Sequence, residues 1–462
     1  MSRARSVRWN AALIAAALGL SAAYPAAALA ETLESALSRA YIASPIINGE
    51  RASVRATDEN VPRALSGYRP RISASADIGR TWSERELRGI SSESALTPRG
   101  IGLQINQTIY NGGRTAASVR QAESQVFAAR QNLEASVQDV LFQAAQAYMN
   151  VLRDTAILNL QRNNIDVLGE QLRQTQDRFD VGEVTRTDVA QSEARVAAAR
   201  SQVSLAEANL RSSIAIYRRI VGVDPRQLQP GSIPARLIPR SVEAAVEIGL
   251  SQNPNITAAR HALDAAQAQV RLIEGELLPT LGVQGAVNHR YDSSISGDRT
   301  TSAQIVARLD VPLYQGGEVS ARVRQAKEIA SQRRFDVDLV REQVRAAIIA
   351  AWGQLDASTA QIEAAQAQVS AAETALSGVR EEARVGQRTT LDVLNAQQEL
   401  LNARVNLITA QRDRVVAGYA LVQAMGRLTP TQLALGVEIY DASVHFEQVD
   451  GLWYGTQTPS GQ

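Results

Sequence analysis

The chain has 462 residues, of which 45% are apolar but only 4% aromatic, and its 48 basic and 47 acidic side chains leave a net charge of +1. A length that could hold about three ordinary domains is spent on Ala, Leu, Val and Ile, a composition of long helices with small interfacial side chains. The balanced charge disfavours a general nucleic-acid binder, and the absence of cysteine removes thiol catalysis, zinc–thiolate and iron–sulfur sites, and disulfides.

Arg3, Arg5 and Arg8 precede an apolar run from Ala11 to Ala23, and Ala28-Leu29-Ala30 places small residues ahead of Glu31. A basic start, a short apolar stretch and an A-x-A site predict a secretory signal peptide over 1–30. Pro25 interrupts the run too early for a permanent anchor, and no later stretch approaches the ~18 consecutive apolar residues of a spanning helix. The mature chain is expected beyond the cytoplasm: periplasmic, secreted, or in an outer membrane as a β-barrel.

The remainder is written twice. Thr32-Leu33-Glu34-Ser35-Ala36 returns as Ser241-Val242-Glu243-Ala244-Ala245, and Ser44-Pro45 as Asn253-Pro254. Ile109-Tyr110-Asn111-Gly112-Gly113 returns as Leu313-Tyr314-Gln315-Gly316-Gly317. Val181-Gly182 with Thr187-Asp188-Val189 answers to Val385-Gly386 with Leu391-Asp392-Val393. This self-similarity divides the chain into a first repeat over 31–240, a second over 241–430, and a C-terminal segment over 431–462.

In the first repeat a helical stretch over 46–66, with Pro62 set to kink or end it, leads to a hairpin at about 71–111. There Ile72, Ala74, Ala76 and Ile78 alternate with Ser73, Ser75 and Asp77, and Ile101, Leu103 and Ile105 alternate with Gly102, Gln104 and Asn106. Such alternation fits tilted barrel strands with one lipid face and one wet face, and equally a half-buried soluble hairpin. The Ser/Glu/Arg-rich 83–98 reads as a polar loop. A Pro-free long helix follows over about 114–180 and a return helix over about 188–221. The second repeat predicts a helix over 255–276, a hairpin at about 280–314 with a polar loop at 292–302, a long helix over about 317–384 and a return helix over about 392–425. Each long helix would run roughly 100 Å, beyond any compact domain, so it must pack on other long helices.

The return helices carry heptads. Val189, Val196, Val203, Leu210 and Tyr217 mark one seam position and Ser192, Ala199, Ala206 and Ser213 the other. Val393, Leu400 and Leu407, with Ala396, Ala403, Ala410 and Ala417, repeat the rule. Small residues at one position allow close helix axes, as in a tube of helices or a plain antiparallel coiled coil. Four strands do not close a spanning barrel, for which about eight are needed. Either the strands are soluble or several chains contribute.

Sites of chemistry leave little trace. His261, His289 and His445 are scattered and form no metal constellation. Gly112-Gly113 and Gly316-Gly317 lack a full phosphate-loop pattern, and their repetition at strand-to-helix junctions favours hinges. The two helix turns, around Gly182 and Gly386, gather Arg178, Asp180, Glu183, Arg186, Asp188, Arg384, Arg388 and Asp392.

With these landmarks placed, the chain resembles the TolC family of trimeric outer-membrane export channels. The likeness covers about 31–455 and rests on the duplicated order of elements, above all on Val385-Gly386-Gln387-Arg388-Thr389-Thr390-Leu391-Asp392-Val393-Leu394-Asn395-Ala396. It implies a mainly α protein with a membrane β part. Duplicated long-helix hairpins would form an α-barrel tunnel across the periplasm. Two β-hairpins per protomer would contribute to a twelve-strand trimeric β-barrel in the outer membrane. Residues near 222–250 and 426–455 would girdle the tunnel at its equator. The resemblance further implies a passive duct, not an enzyme, without cofactor or metal and without nucleic acid. Its partners would be two further copies of itself, outer-membrane lipid, a periplasmic adaptor (membrane fusion protein), and an inner-membrane ABC transporter or proton-driven pump, for type I protein secretion or drug efflux.

The resemblance also names a periplasmic gate. Arg388 is the family's arginine of the second turn, and Thr187 with Asp188 is its partner pair in the first. The family's tyrosine latch position holds Ala383, and of two acidic ring positions Asp392 keeps one while Asn395 replaces the other. A weaker cation affinity at the entrance follows. Two other readings are a periplasmic coiled-coil adaptor, against which the duplication argues, and a secreted structural protein, which leaves four alternating strands unexplained.

Overall fold

The computed structural model describes residues 31–459, so the expected signal segment over 1–30 lies outside the described residues. Helices α1 (Leu33–Ala43), α2 (Pro45–Asp58) and α3 (Asn60–Leu65) lead into strands β1 (Arg71–Ile78), β2 (Thr81–Leu87), β3 (Ile90–Leu96) and β4 (Arg99–Asn111). Helix α4 (Arg114–Asp180) and its return α5 (Arg186–Val221) complete the first half. The second half repeats the plan as α6 (Val242–Gln252), α7 (Pro254–Glu274), β5 (Thr280–Tyr291), β6 (Arg299–Asp310), α8 (Glu318–Arg384) and α9 (Thr390–Ala424). Short helices α10 (Pro430–Leu433) and α11 (Ala442–Asp450) follow.

The duplicated sequence landmarks are helix punctuation. Ser44 and Asn253 are N-caps whose side chains accept from Ile47 and Asn255 backbone N–H groups, each followed by proline in the first turn. The expected helical stretch over 46–66 is interrupted, but the break falls after Asp58 rather than at the proline itself. Pro62 causes this upstream of itself, because its ring clashes with the carbonyl four residues earlier, that of Asp58.

The sheet runs β1-β4-β5-β6, antiparallel throughout, with rows such as Ala74–Leu103–Val287–Ala303 on one face and Ser73–Gln104–Ala286–Gln304 on the other. One face is thus an apolar band, and the opposite face is polar. Residues 83–98 are not a loop: β2 and β3 pair from Thr81↔Leu96 to Leu87↔Ile90 as a separate ribbon. Its turn is Arg88-Gly89, with φ of 53° and 78°, the left-handed pair that a tight hairpin requires. The 292–298 turn is tied by Asp298, which accepts from the Ser293 and Ser294 backbones.

Helices α4 and α8 have 67 residues each. They start at Gly113 and Gly317, with φ of 77° and 85°. Gly112, at φ 68°, is wedged: a Cβ there would sit 2.2 Å from the Gly275 carbonyl oxygen. In contrast, nothing crowds Gly316 or Gly317. Helix α5 packs on α4 and α9 on α8, while α7 lies between α4 and α8, and α9 also runs beside α4. The heptad positions Val189, Ser192, Val196, Ala199 and Ala206 are buried, as are Val393, Leu400, Ala403, Ala410 and Ala417.

The main core lies where the short helices wrap the long ones, around Leu37, Leu141, Tyr148, Tyr217, Ile348, Tyr419 and Leu421. Glu31 is buried there, accepting from the Tyr217 hydroxyl and the Arg39 guanidinium, both at 2.8 Å. The Tyr148 hydroxyl lies 2.7 Å from the carbonyls of Glu31 and Gln229. Burial pushes both tyrosines far above the ordinary phenol range, so they act as neutral donors. Among the described residues no helix is long and apolar enough to cross a membrane.

Candidate functional site

The two turns share one construction. Each long helix ends with a left-handed glycine, Gly182 at φ 80° and Gly386 at φ 81°. Backbone N–H groups of Glu183 and Gln387 reach back to the carbonyls of Arg178 and Glu382, both at 2.9 Å, which closes the helix end as a Schellman turn. The chain then restarts in a capping box. Asp188 Oδ2 accepts from the Thr185 backbone at 2.9 Å, and the Asp188 backbone donates to Thr185 Oγ1 at 3.3 Å. Asp392 and Thr389 repeat this at 3.0 and 3.2 Å. The Thr-x-x-Asp spacing announces both boxes in the sequence.

These bonds fix the charges. The Thr185 hydroxyl and backbone hold the Asp188 carboxyl below its usual range, and the Thr389 backbone and hydroxyl do the same for Asp392. Each turn also carries an internal ion pair of opposite sense. Arg178 at the end of α4 meets Glu183 at 3.1 Å, whereas Glu382 at the end of α8 meets Arg388 at 2.8 Å. Within the protomer Arg388 is thus held by Glu382, and Asp188 by its capping box. The two are not brought together, and Thr187 is exposed.

Asn395 lies one turn beyond Asp392, and its Oδ1 accepts from Arg195 Nη2 of α5 at 2.8 Å. Beside it Leu394 is 2% exposed, inserted among Leu168, Val196 and Ala199 of the other hairpin. No sequence pattern pointed to Arg195, because its partner lies in the other repeat.

At the far end of the molecule, the polar sheet face carries the row Asp77–Gly100–Arg290. Asp77 and Arg290 meet at 3.1 Å across the intervening strand. A Cβ on Gly100 would sit 3.0 Å from the Arg290 side chain, so glycine makes the room. On the opposite face, Arg99 and Arg299 flank the Tyr291 ring at 5.5 Å each. From Leu281 to Tyr291 the strand rises about 25 Å at barrel tilt, the height of an outer-membrane apolar band with an aromatic rim.

Comparisons with known proteins agree with this geometry. A family model described as outer membrane efflux protein matches residues 36–223 and again 246–427, once per repeat. The outer membrane efflux protein BepC of Brucella suis biovar 1 (strain 1330) is 41% identical over 439 residues, 94% of each chain. The outer membrane protein TolC of Vibrio cholerae is 29% identical over 424 residues, covering 90% of this chain and 94% of that protein. The crystal structure of the Campylobacter jejuni CmeC outer membrane channel superposes with a TM-score of 0.77, covering 91% of this chain and 89% of that one, at 18% identity. At that identity the superposition speaks for the fold alone.

Proposed function

The chain belongs to the outer membrane efflux protein family and is an outer-membrane export duct, and from that premise we propose that it works as a homotrimer gated at its charged helix turns. The observation that carries the trimer is the four-strand sheet. Its outer strands β1 and β6 each keep one unpaired edge, and β6 is exposed along its whole length. Three copies would pair β6 with the next β1 in antiparallel sense and close about twelve strands, leaving no edge. Helix α8 offers a matching apolar flank, with Phe335 69% and Leu339 56% exposed.

The duct is passive. An inner-membrane ABC transporter or proton-driven pump supplies the energy, and a periplasmic adaptor engages the turns. In the closed trimer Arg388 binds Asp188, or the adjacent Thr187, of an adjoining hairpin, in competition with Glu382 of its own turn. Exposed pairs of this kind are weak. A weak lock repeated three times suits an entrance that an adaptor opens without chemistry. The test is a heat-modifiable trimer band from purified outer membranes, followed by reconstitution in planar bilayers. Arg388→Ser should raise single-channel conductance, Asp188→Ala should do likewise, and the double variant should add little. A stable monomer would refute the assembly; unchanged conductance in both single variants would refute the gate.

A further inference from the structure

We infer that Arg195 and Asn395 form a second latch, inside one protomer, which ties the entrance end of α9 to the α4–α5 hairpin; this rests on the gated-duct reading. Along most of its length α9 is held by α8 and lies beside α4, and with α5 it makes only slight contact. Near the entrance two features join it to the other hairpin. Leu394 is buried between α4 and α5, against Leu168, Val196 and Ala199. One residue on, Asn395 takes the Arg195 guanidinium at 2.8 Å.

The placement couples this contact to the gate. Asn395 stands three residues after Asp392, so the two share a helix face within one turn. Any outward swing of the second turn, which carries Arg388, moves the first turn of α9. It must therefore draw Leu394 from its socket and part Asn395 from Arg195. The acceptor is a neutral amide, which binds a guanidinium less strongly than a carboxylate would. The latch is therefore a light one, and its strength depends on the charge at position 395. Arg195 acts as a positioning residue: it holds α9 rather than meeting the cargo.

The charge dependence supplies the test. In single-channel recordings of the full-length trimer, Arg195→Ala and Asn395→Leu should each raise resting conductance at least twofold, and together no further. Asn395→Asp should lower conductance while Arg195 is present. In an Arg195→Ala background the same substitution should raise it, because three unpaired carboxylates repel around the axis. A purely structural side chain would not reverse sign in this way, and unchanged trimer yield would separate latch from folding. Wild-type conductance in Arg195→Ala, or the same effect of Asn395→Asp in both backgrounds, overturns the latch. If Arg388→Ser opens the channel while the Arg195 variants do not, the latch fails and the gated duct stands. If the chain forms no trimeric channel, the duct reading fails and the latch falls with it.

Discussion

Ala403→Leu offers a quantitative test of the helix seams. Ala403 is fully buried where α9 meets α8, packed with Ala372, Leu376 and Leu400. Leucine would add three carbon atoms at a point where the helix axes approach because the side chain is small. Overpacking of this kind is destabilising by about 1–3 kcal/mol per site, and a trimer meets it three times, for about 3–9 kcal/mol. Even the lower figure moves the balance between unfolded chains and folded trimer by about a hundredfold, since each 1.4 kcal/mol is a factor of about ten. Gln411 of the same helix is exposed, and Gln411→Leu should shift stability by no more than about 0.5 kcal/mol. Trimer yield in outer membranes and resistance to heat dissociation in mild detergent report the difference. Pairing Ala403→Leu with Leu376→Ala conserves volume and should restore much of the yield. Equal yields for the Ala403 and Gln411 variants would refute the reasoning, as would failure of the compensating pair.

Glu382→Gln frees Arg388 from its own turn and should lower conductance, opposite in sign to Arg388→Ser, in the same bilayer recordings. Acidification should open the entrance. The Asp188 and Asp392 carboxyls are both held below the ordinary carboxylate range in the folded turns, so their stabilisation is fully present above that range and is lost as pH falls through their lowered values. Conductance measured from about pH 5 to about pH 3 should rise, and Thr185→Ala with Thr389→Ala should flatten the response. Tyr217→Phe removes the donor to the buried Glu31 carboxylate and should destabilise the protomer by about 1–3 kcal/mol, read as an earlier thermal transition.

Much of the architecture is legible because it is written as period. The switch from 3.6 to 2 at Ile72 and the heptads from Val189 and Val393 are repeating consequences of backbone geometry. The ribbon over 81–96 escapes that signal: Glu84 opposes Glu93 and Arg85 opposes Ser92, and neither face is buried. A strand pair wetted on both sides has no apolar face to alternate with, and its composition alone looks like loop. The kink at Pro62 is legible but its position after Asp58 is not, since proline acts four residues upstream of where it is written. At the two helix turns, glycines and charges mark the reversal, and the Thr-x-x-Asp boxes identify what Asp188 and Asp392 bind locally. The Arg195–Asn395 contact joins residues from different repeats, so neither local propensity nor repeat symmetry could disclose it.

The equal span of α4 and α8, 67 residues each, makes the reach of the duct a shared dimension. Their return helices are matched too, at 36 and 35 residues. Deleting a single residue from one arm would turn everything beyond it by about 100° and shift it by about 1.5 Å, so that one turn would leave the ring formed by the others. Reach is therefore adjustable only in step: a whole heptad, about 10.5 Å, taken from or added to all four arms at once keeps every seam facing its neighbour. In the assembly proposed above, a chain altered in this way would bridge a different distance between outer membrane and adaptor with its two ends unchanged. In the proposed trimer, the same edit in one arm would leave the barrel intact but the entrance unable to close.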